Sequence, residues 1–450
     1  MRRLSPPQIL ALSFALTALL GSFLLSLPAA VRGEPLSFVD ALFTAVSALC
    51  VTGLVVVDIG SRLSLFGQLV VLFLIQMGGL GIMSFSVVFM ALLGRRLSFR
   101  DRALVREAFA PLPGVELVRL VKSVMAYTFV IEGLGVLLLF PYFRADFPFP
   151  TSLFYAIFHI VAAFNNAGFS LFRENLVSYR GDIYVNLLIT SLIMLGGIGF
   201  LVMVEARDFI LNRIRRRPPR PLSLHLKVVL TTTVILILLG SITFFLLERE
   251  NSLRGLPVKD KFLASYFQAV TPRTAGFNTL DFGRVTEATL LFTVILMYVG
   301  ASPGSTGGGI KTSTIAILLA LAFSRLKGRE EVHLFRRAVP LEVIERAWAI
   351  AATNLTLLIL GTLGLLIIEL GALPHGLGRG LIDYLFEVAS ALGTVGLSTG
   401  ITSGLSDAGK LLITTIMYIG RLGPLTIAFA LGTREMKREL RYAEERLMVG

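Results

Sequence analysis

No charged side chain occurs in residues 4–31, 63–94, 183–204, 228–247, 288–310 or 347–368. Each run reaches the ~20 residues that a helix needs to cross a hydrocarbon core. Two more apolar runs are interrupted by single charges, 123–143 by Glu132 and 411–433 by Arg421, which makes eight candidate spans. Backbone polar groups left unpaired in lipid are costly, so each span is expected to be a helix and the chain an all-α membrane protein. A hydrophobic content of 55%, a charged content of 16% and a mean hydropathy of +0.79 agree with a bilayer environment. The first run follows Arg2 and Arg3, as in a signal peptide, but it exceeds the ~7–15 residues of a signal core and is taken as a span.

The net charge of +13 invites a nucleic-acid reading, and its distribution argues against one. Of the 42 Lys and Arg, 27 fall in the N-terminus and in residues 94–122, 207–227, 325–346 and 433–450, whereas the segments on the other side hold 12. Basic loops stay cytoplasmic, so both termini are expected in the cytoplasm, in a bacterial inner membrane, with lipid and not nucleic acid as the partner. The single cysteine, Cys50, allows no intrachain disulfide, and the four histidines are scattered.

One pattern recurs four times on the less basic side. A short apolar segment, too brief to cross, runs into a turn of small residues: Phe43 to Gly53, Phe158 to Gly168, Tyr266 to Gly276 and Phe386 to Gly396, with the aromatic ten positions before the Gly each time. The implied unit is span, short re-entrant helix, extended turn, span. Its copies occupy residues 1–94, 119–211, 226–324 and 346–433, before a cytoplasmic tail at 434–450. A re-entrant turn is tolerated only where it lines water or is buried in protein. Four such turns about a pseudo-four-fold axis make a carbonyl ring able to replace the hydration shell of a monovalent cation. The ring residues are then Cys50, Val51, Thr52 and Gly53; Asn165, Asn166, Ala167 and Gly168; Arg273, Thr274, Ala275 and Gly276; and Gly393, Thr394, Val395 and Gly396. The plainer alternative is four interfacial caps with incidental glycines among the 42 of the chain.

The motifs Cys-Val-Thr-Gly-Leu at 50–54, Asn-Asn-Ala-Gly-Phe at 165–169, Thr-Pro-Arg-Thr-Ala-Gly-Phe-Asn at 271–278 and Gly-Thr-Val-Gly-Leu-Ser-Thr-Gly at 393–400 resemble the Trk/Ktr/HKT superfamily of potassium transporters. So do Gly-Ser-Thr-Gly-Gly-Gly-Ile-Lys-Thr at 304–312 and Ile-Gly-Arg-Leu-Gly-Pro-Leu-Thr at 419–426. The resemblance covers nearly the whole chain. It is nearest to the membrane subunits of bacterial Ktr systems, because the first unit starts almost at the N-terminus. It implies a potassium-selective conduit, not an enzyme, with potassium at the ring carbonyls, sodium as a candidate activator and no covalent cofactor. It also implies a homodimer docked on a cytosolic ring of nucleotide-binding subunits, with any ATP or ADP on that partner. Sodium-preferring relatives carry Ser at the first ring glycine, where this chain has Gly53. Cys50 departs from the Thr-like residue expected there.

The sixth span is too long for one crossing and contains Gly300, Ala301, Ser302, Pro303, Gly304, Ser305, Thr306, Gly307, Gly308 and Gly309, followed by Ile310 and Lys311. A proline and five glycines in ten residues cannot hold a regular helix, so the span is expected to break. Lying on the cytoplasmic side of the third turn, the break and Lys311 form a candidate gate; the alternative is a static kink. Gly300 to Gly304 also spells a nucleophile elbow, but that motif needs a strand, a helix and a histidine partner, so an intramembrane serine hydrolase is a remote reading. Arg421, at mid-span, costs ~2.5–3.5 kcal/mol on insertion scales and must face the interior. It matches a gate-associated arginine of the resembled family and is read as a barrier below the ring, or else as a structural tie to the glycine-rich loop through backbone carbonyls. Glu132 and Glu205 are its candidate partners.

The charge asymmetry generates a topology test. A reporter inserted near Pro218, in the basic segment 212–227, is expected to be reachable only from the cytoplasm. Labelling from the periplasm would overturn the eight-span arrangement.

Overall fold

The computed structural model describes residues 5–81, 117–216, 221–370 and 380–431. The end of the second span (82–94), the basic segment 94–116, the stretch around Pro218 and the tail 434–450 lie outside the described residues.

The first unit consists of α1 (Pro6–Ser26), α2 (Phe38–Leu49) and α3 (Leu65–Leu80). The second has α4 (Leu117–Phe143), α5 (Phe149–Phe164), α6 (Ile183–Gly197) and α7 (Phe200–Ile214). The third has α8 (Leu224–Glu248), α9 (Val258–Val270), α10 (Glu287–Tyr298) and α11 (Thr312–Leu326). After a two-stranded hairpin, β1 (His333–Leu334) and β2 (Arg337–Ala338), the fourth follows with α12 (Leu341–Leu370), α13 (Leu381–Gly393), α14 (Asp407–Leu422) and α15 (Pro424–Leu431).

Among the described residues, four helices are long and apolar enough to cross a membrane, or up to six if each bent pair is one span. The four are α1, α4, α8 and α12, the first helix of each unit. Only 28% of the most apolar window of each is buried, so the apolar remainder requires lipid as its solvent. The short helices are the reverse: Phe43, Phe158, Phe267 and Phe386 are fully buried. In the third unit the deep aromatic is thus Phe267, nine positions before Gly276, and not Tyr266, whose hydroxyl donates to Thr190 at 3.2 Å. The return bond explains the shift. Ala275 N–H donates to Thr271 O, four residues back, whereas Thr52, Ala167 and Val395 reach five residues back.

Packing closes a circle. Each long helix lies on the short helix of its own unit: α1 on α2, α4 on α5, α8 on α9 and α12 on α13. Each second helix lies on the short helix of the next unit: α3 on α5, α6 on α9, α10 on α13, and α14 back on α2.

The second helices are where sequence expectation and structure part. A break was expected in the third unit, and it is there, between α10 and α11. The second and fourth units break as well: α6 and α7 meet at 103°, α14 and α15 at 94°. The hinges are Gly199 at φ +97 and Gly423 at φ +85, and α3 of the first unit likewise ends on Gly81 at φ +79. Only glycine enters that region without strain. The missed signal was legible as Gly78-Gly79-Leu80-Gly81, Gly196-Gly197-Ile198-Gly199 and Gly420-Arg421-Leu422-Gly423. The first glycine of each set presses on the end of a short helix, where an added Cβ would overlap the carbonyl of Leu49, Phe164 or Leu392.

That contact can be tested. Gly196→Ala is expected to cost about 1–3 kcal/mol by forcing the Phe164 backbone to move. Gly133→Ala, also in a helix but with nothing within 4 Å of its added Cβ, is expected to be neutral or to stabilise by up to about 1 kcal/mol. Thermal unfolding of the detergent-solubilised protein checks the difference, and equal shifts would refute it.

Candidate ion pathway

Each short helix ends in a turn with positive φ at two residues separated by one. The pairs are Val51 (φ +55) and Gly53 (φ +94), Asn166 (φ +58) and Gly168 (φ +68), Thr274 (φ +74) and Gly276 (φ +75), and Thr394 (φ +49) and Gly396 (φ +91). Side-chain-bearing residues avoid this region, so four copies signal a conformation the surroundings impose. Positive φ at alternate residues turns successive carbonyls toward one side of the strand. Hydroxyls hold the turns from behind: Ser47 Oγ donates to Leu54 O at 2.7 Å and accepts from Gly53 N–H at 3.2 Å, and Ser390 Oγ accepts from Gly396 N–H at 3.0 Å.

The four turns meet in cyclic order. The carbonyl of Ala167 lies against Gly53, that of Ala275 against Gly168, that of Val395 against Gly276, and that of Thr52 against Gly396. A Cβ at any of these glycines would overlap the neighbouring unit's backbone, which is why none carries a side chain. All four also line one open vestibule of about 620 Å³, whose wall holds Asp58, Glu174, Asp281, Arg173 and Arg284. The expected ring residues are therefore together. Two of their side chains point out of the ring: Arg273 Nη2 donates to Thr233 at 3.2 Å, and Asn165 reaches Gln76 and Glu132. Cys50 is buried, at 1% exposure.

The loop 300–309 sits against the ring on the side away from the vestibule. A Cβ at Gly307 would overlap Thr274 Oγ1, and one at Gly308 would overlap Thr394 Oγ1. The loop is knitted to the second unit: Ser302 N–H donates to Gly197 O (3.0 Å), Thr306 N–H to Gly196 O (3.2 Å), Thr306 Oγ1 to Phe164 O (3.3 Å), and Phe200 N–H to Gly304 O (2.9 Å). Its ends close on each other through Gly300 N–H to Ile310 O (2.9 Å) and Ala301 N–H to Gly308 O (3.3 Å). Pro303 turns the chain within the loop, and Ser305 Oγ donates back to Ser302 O at 2.7 Å. Ser302 Oγ accepts from Thr312 Oγ1 at 3.0 Å, inside a loop and not on a strand-to-helix elbow.

Two partly buried cations hold this loop. Arg421 donates to the carbonyls of Thr306 and Gly78, and Lys311 Nζ donates to Gly307 O at 2.9 Å and Gly308 O at 3.3 Å. Neither Glu132 nor Glu205 is bonded to Arg421. Glu205 instead accepts from Ser223 N–H and Oγ, both at 2.6 Å, joining α7 to the start of α8. The partners of Arg421 are main-chain oxygens: that of Thr306 lies in the glycine-rich loop, as the tie reading expected, and that of Gly78 lies in the first unit.

Comparisons with known proteins place this geometry. Residues 11–435 match the family model described as TrkH, cation transport protein. The chain is 42% identical to the Ktr system potassium uptake protein B of Bacillus subtilis (strain 168), over 100% of this chain and 97% of that one. It is 37% identical to the protein of the same name from Vibrio alginolyticus, over 99% and 95%, and 35% identical to the potassium/sodium uptake protein NtpJ of Enterococcus hirae, over 100% and 98%. The crystal structure of the potassium transporter TrkH from Vibrio parahaemolyticus shares the fold at a TM-score of 0.72 and 20% identity, covering 94% of this chain and 84% of that one. The chain belongs to the TrkH family of cation transport proteins.

Proposed function

We propose that this protein is the potassium-conducting membrane subunit of a bacterial potassium uptake system. Its four units would form eight spans around a pseudo-four-fold pore, in the inner membrane, with both termini in the cytoplasm. The observation that carries the reading is the cyclic contact of Gly53, Gly168, Gly276 and Gly396 with the carbonyls of the next unit. Four helix C-termini converge there, and the negative ends of their dipoles favour a cation. Carbonyl dipoles at this spacing replace the water that potassium gives up, and the vestibule supplies the wet entrance. The family relatives named for potassium uptake support the choice of ion.

The loop 300–309 acts as the gate, closed in this conformation, with Arg421 and Lys311 as its latches. An ion leaving the ring meets two fixed cations beside Thr306, Gly307 and Gly308. At short range and low dielectric such charges repel potassium by several kcal/mol, so conduction requires the loop and Arg421 to move. The system name of the relatives fits a further component, and we assign it the role of a cytosolic nucleotide-binding ring that supplies this movement, with the membrane subunit working as a homodimer.

Two measurements in liposomes test the reading. Gly53→Ser puts a side chain into a ring that has no space for one, and it is expected to weaken potassium-over-sodium preference at least several-fold. Unchanged preference after substitution at all four ring glycines would remove the filter assignment. Arg421→Ala, assayed without any cytosolic partner, is expected to raise potassium flux with selectivity kept, because the ring is separate from the latch. Slower flux, or flux at the wild-type rate in a normally folded variant, would leave Arg421 as a tie and not a barrier.

A further inference from the structure

Glu132 is a carboxyl in the middle of α4, only 5% exposed. None of the described ion pairs includes it. Its hydrogen bonds come from two amides: Gln76 Nε2 donates to Oε2 at 3.2 Å, and Asn165 Nδ2 donates to Oε1 at 2.9 Å. Asn165 Nδ2 also lies 3.1 Å from Gln76 Oε1 and 2.9 Å from Val161 O. Three elements meet here: α3 of the first unit, α4 of the second, and the turn that follows α5.

The geometry dictates which way the Asn165 amide faces. Its nitrogen is surrounded by three acceptors, whereas its oxygen has no hydrogen-bond partner and lies against Gly79. A reversed amide would set oxygen against three oxygens. Two of the three acceptors are the carboxyl and the amide that the carboxyl itself orients. Asn165 stands immediately before Asn166 at φ +58 and three residues before Gly168 at φ +68. The corresponding residues of the other turns are backed differently: Cys50 is a buried thiol, Arg273 reaches the Thr233 hydroxyl, and Gly393 has no side chain. Among the described residues, the second turn alone has a carboxyl bonded to the side chain three positions before its ring glycine; the buried carboxyl of the fourth turn, Glu387, instead accepts from Ser398 and Thr402, beyond Gly396.

We propose that Glu132 is a positioning residue for the ring. By holding Asn165 it fixes the backbone of the second turn, and discrimination between potassium and sodium depends on it. This rests on the reading of the four glycines as a filter. Glu132 does not touch the ion in this account; it acts through Asn165, and the effective group is an acceptor at the Oε1 position. A buried polar trio that served folding alone would make stability, and not ion preference, sensitive to its loss.

Relative potassium and sodium fluxes of the full-length protein in liposomes, with melting temperatures of the same preparations, decide this. Glu132→Ala is expected to lower the potassium-to-sodium flux ratio at least fivefold. Glu132→Gln keeps an acceptor for Asn165 and is expected to be rescued to within about twofold of wild type: turning the Gln76 amide to accept from the new side chain gives up its bond from Asn165, but the two hydrogens of Asn165 Nδ2 keep the side-chain oxygen at position 132 and Val161 O. Gln76→Ala, which removes one donor to Glu132 and one acceptor for Asn165, is expected to shift the ratio in the same direction. It also provides the answer if Glu132→Ala does not fold. A wild-type ratio in Gln76→Ala and Glu132→Ala overturns the proposal, and so does a loss in Glu132→Gln as large as in Glu132→Ala, which would assign the effect to charge. Gly168→Ser is measured in parallel. If it loses selectivity while the Glu132 variants keep theirs, only the positioning role falls; if it too keeps selectivity, the filter reading falls with it.

Discussion

A short helix that ends inside a membrane leaves carbonyls that lipid cannot satisfy, and most of this structure answers that constraint. Some of those oxygens are taken back by the turn: the amides of Thr52, Ala167, Ala275 and Val395 return to the helix ends. Others are covered by close approach of a second helix, at Gly78, Gly196 and Gly420. At the turns themselves, the carbonyls of Thr52, Ala167, Ala275 and Val395 meet the ring glycines of the neighbouring unit. Glycine recurs at each of these contacts because the approaching group is backbone, and a Cβ would overlap it.

The four units solve the problem with unequal means. The third unit has thirteen residues, 299–311, between its half-helices and lays Gly307 and Gly308 against Thr274 and Thr394. In the fourth unit Arg421 occupies the place that Gly79 and Gly197 hold in the first two. A guanidinium there reaches across to the first unit and to the inserted loop in a single side chain. Both cations use neutral carbonyls as partners. Such partners are weaker than carboxylates. The second unit adds its own asymmetry in the amide and carboxyl cluster around Asn165.

Much of this was open to inspection in the primary structure. Uncharged runs and the four aromatic-to-glycine segments are local patterns, and they report the helices and the positive-φ turns directly. The break in the sixth span was visible for the same reason, because Pro303 and its neighbouring glycines forbid a helix whatever surrounds them. The breaks at Gly199 and Gly423 were missed, since one or two glycines in an apolar run are tolerated in membrane helices. Their positive φ is chosen by packing and not by propensity.

Residue by residue, the sequence determined which segments are apolar enough for a membrane and where four turns follow short helices, whereas the lack of room for a Cβ at Gly53, Gly168, Gly276 and Gly396 comes from the neighbouring unit's backbone. Only the tertiary structure decided the partners. Arg421 binds oxygens 115 and 343 residues away, Glu132 bonds Asn165 and Gln76 instead of the arginine, and Phe267 replaces Tyr266 in the third unit's core. The physical reason is that backbone conformation and solvent preference are properties of short stretches, written locally. A buried charge instead takes whichever acceptor the folded circle of helices brings within reach, and a main-chain carbonyl leaves no mark on the amino-acid alphabet.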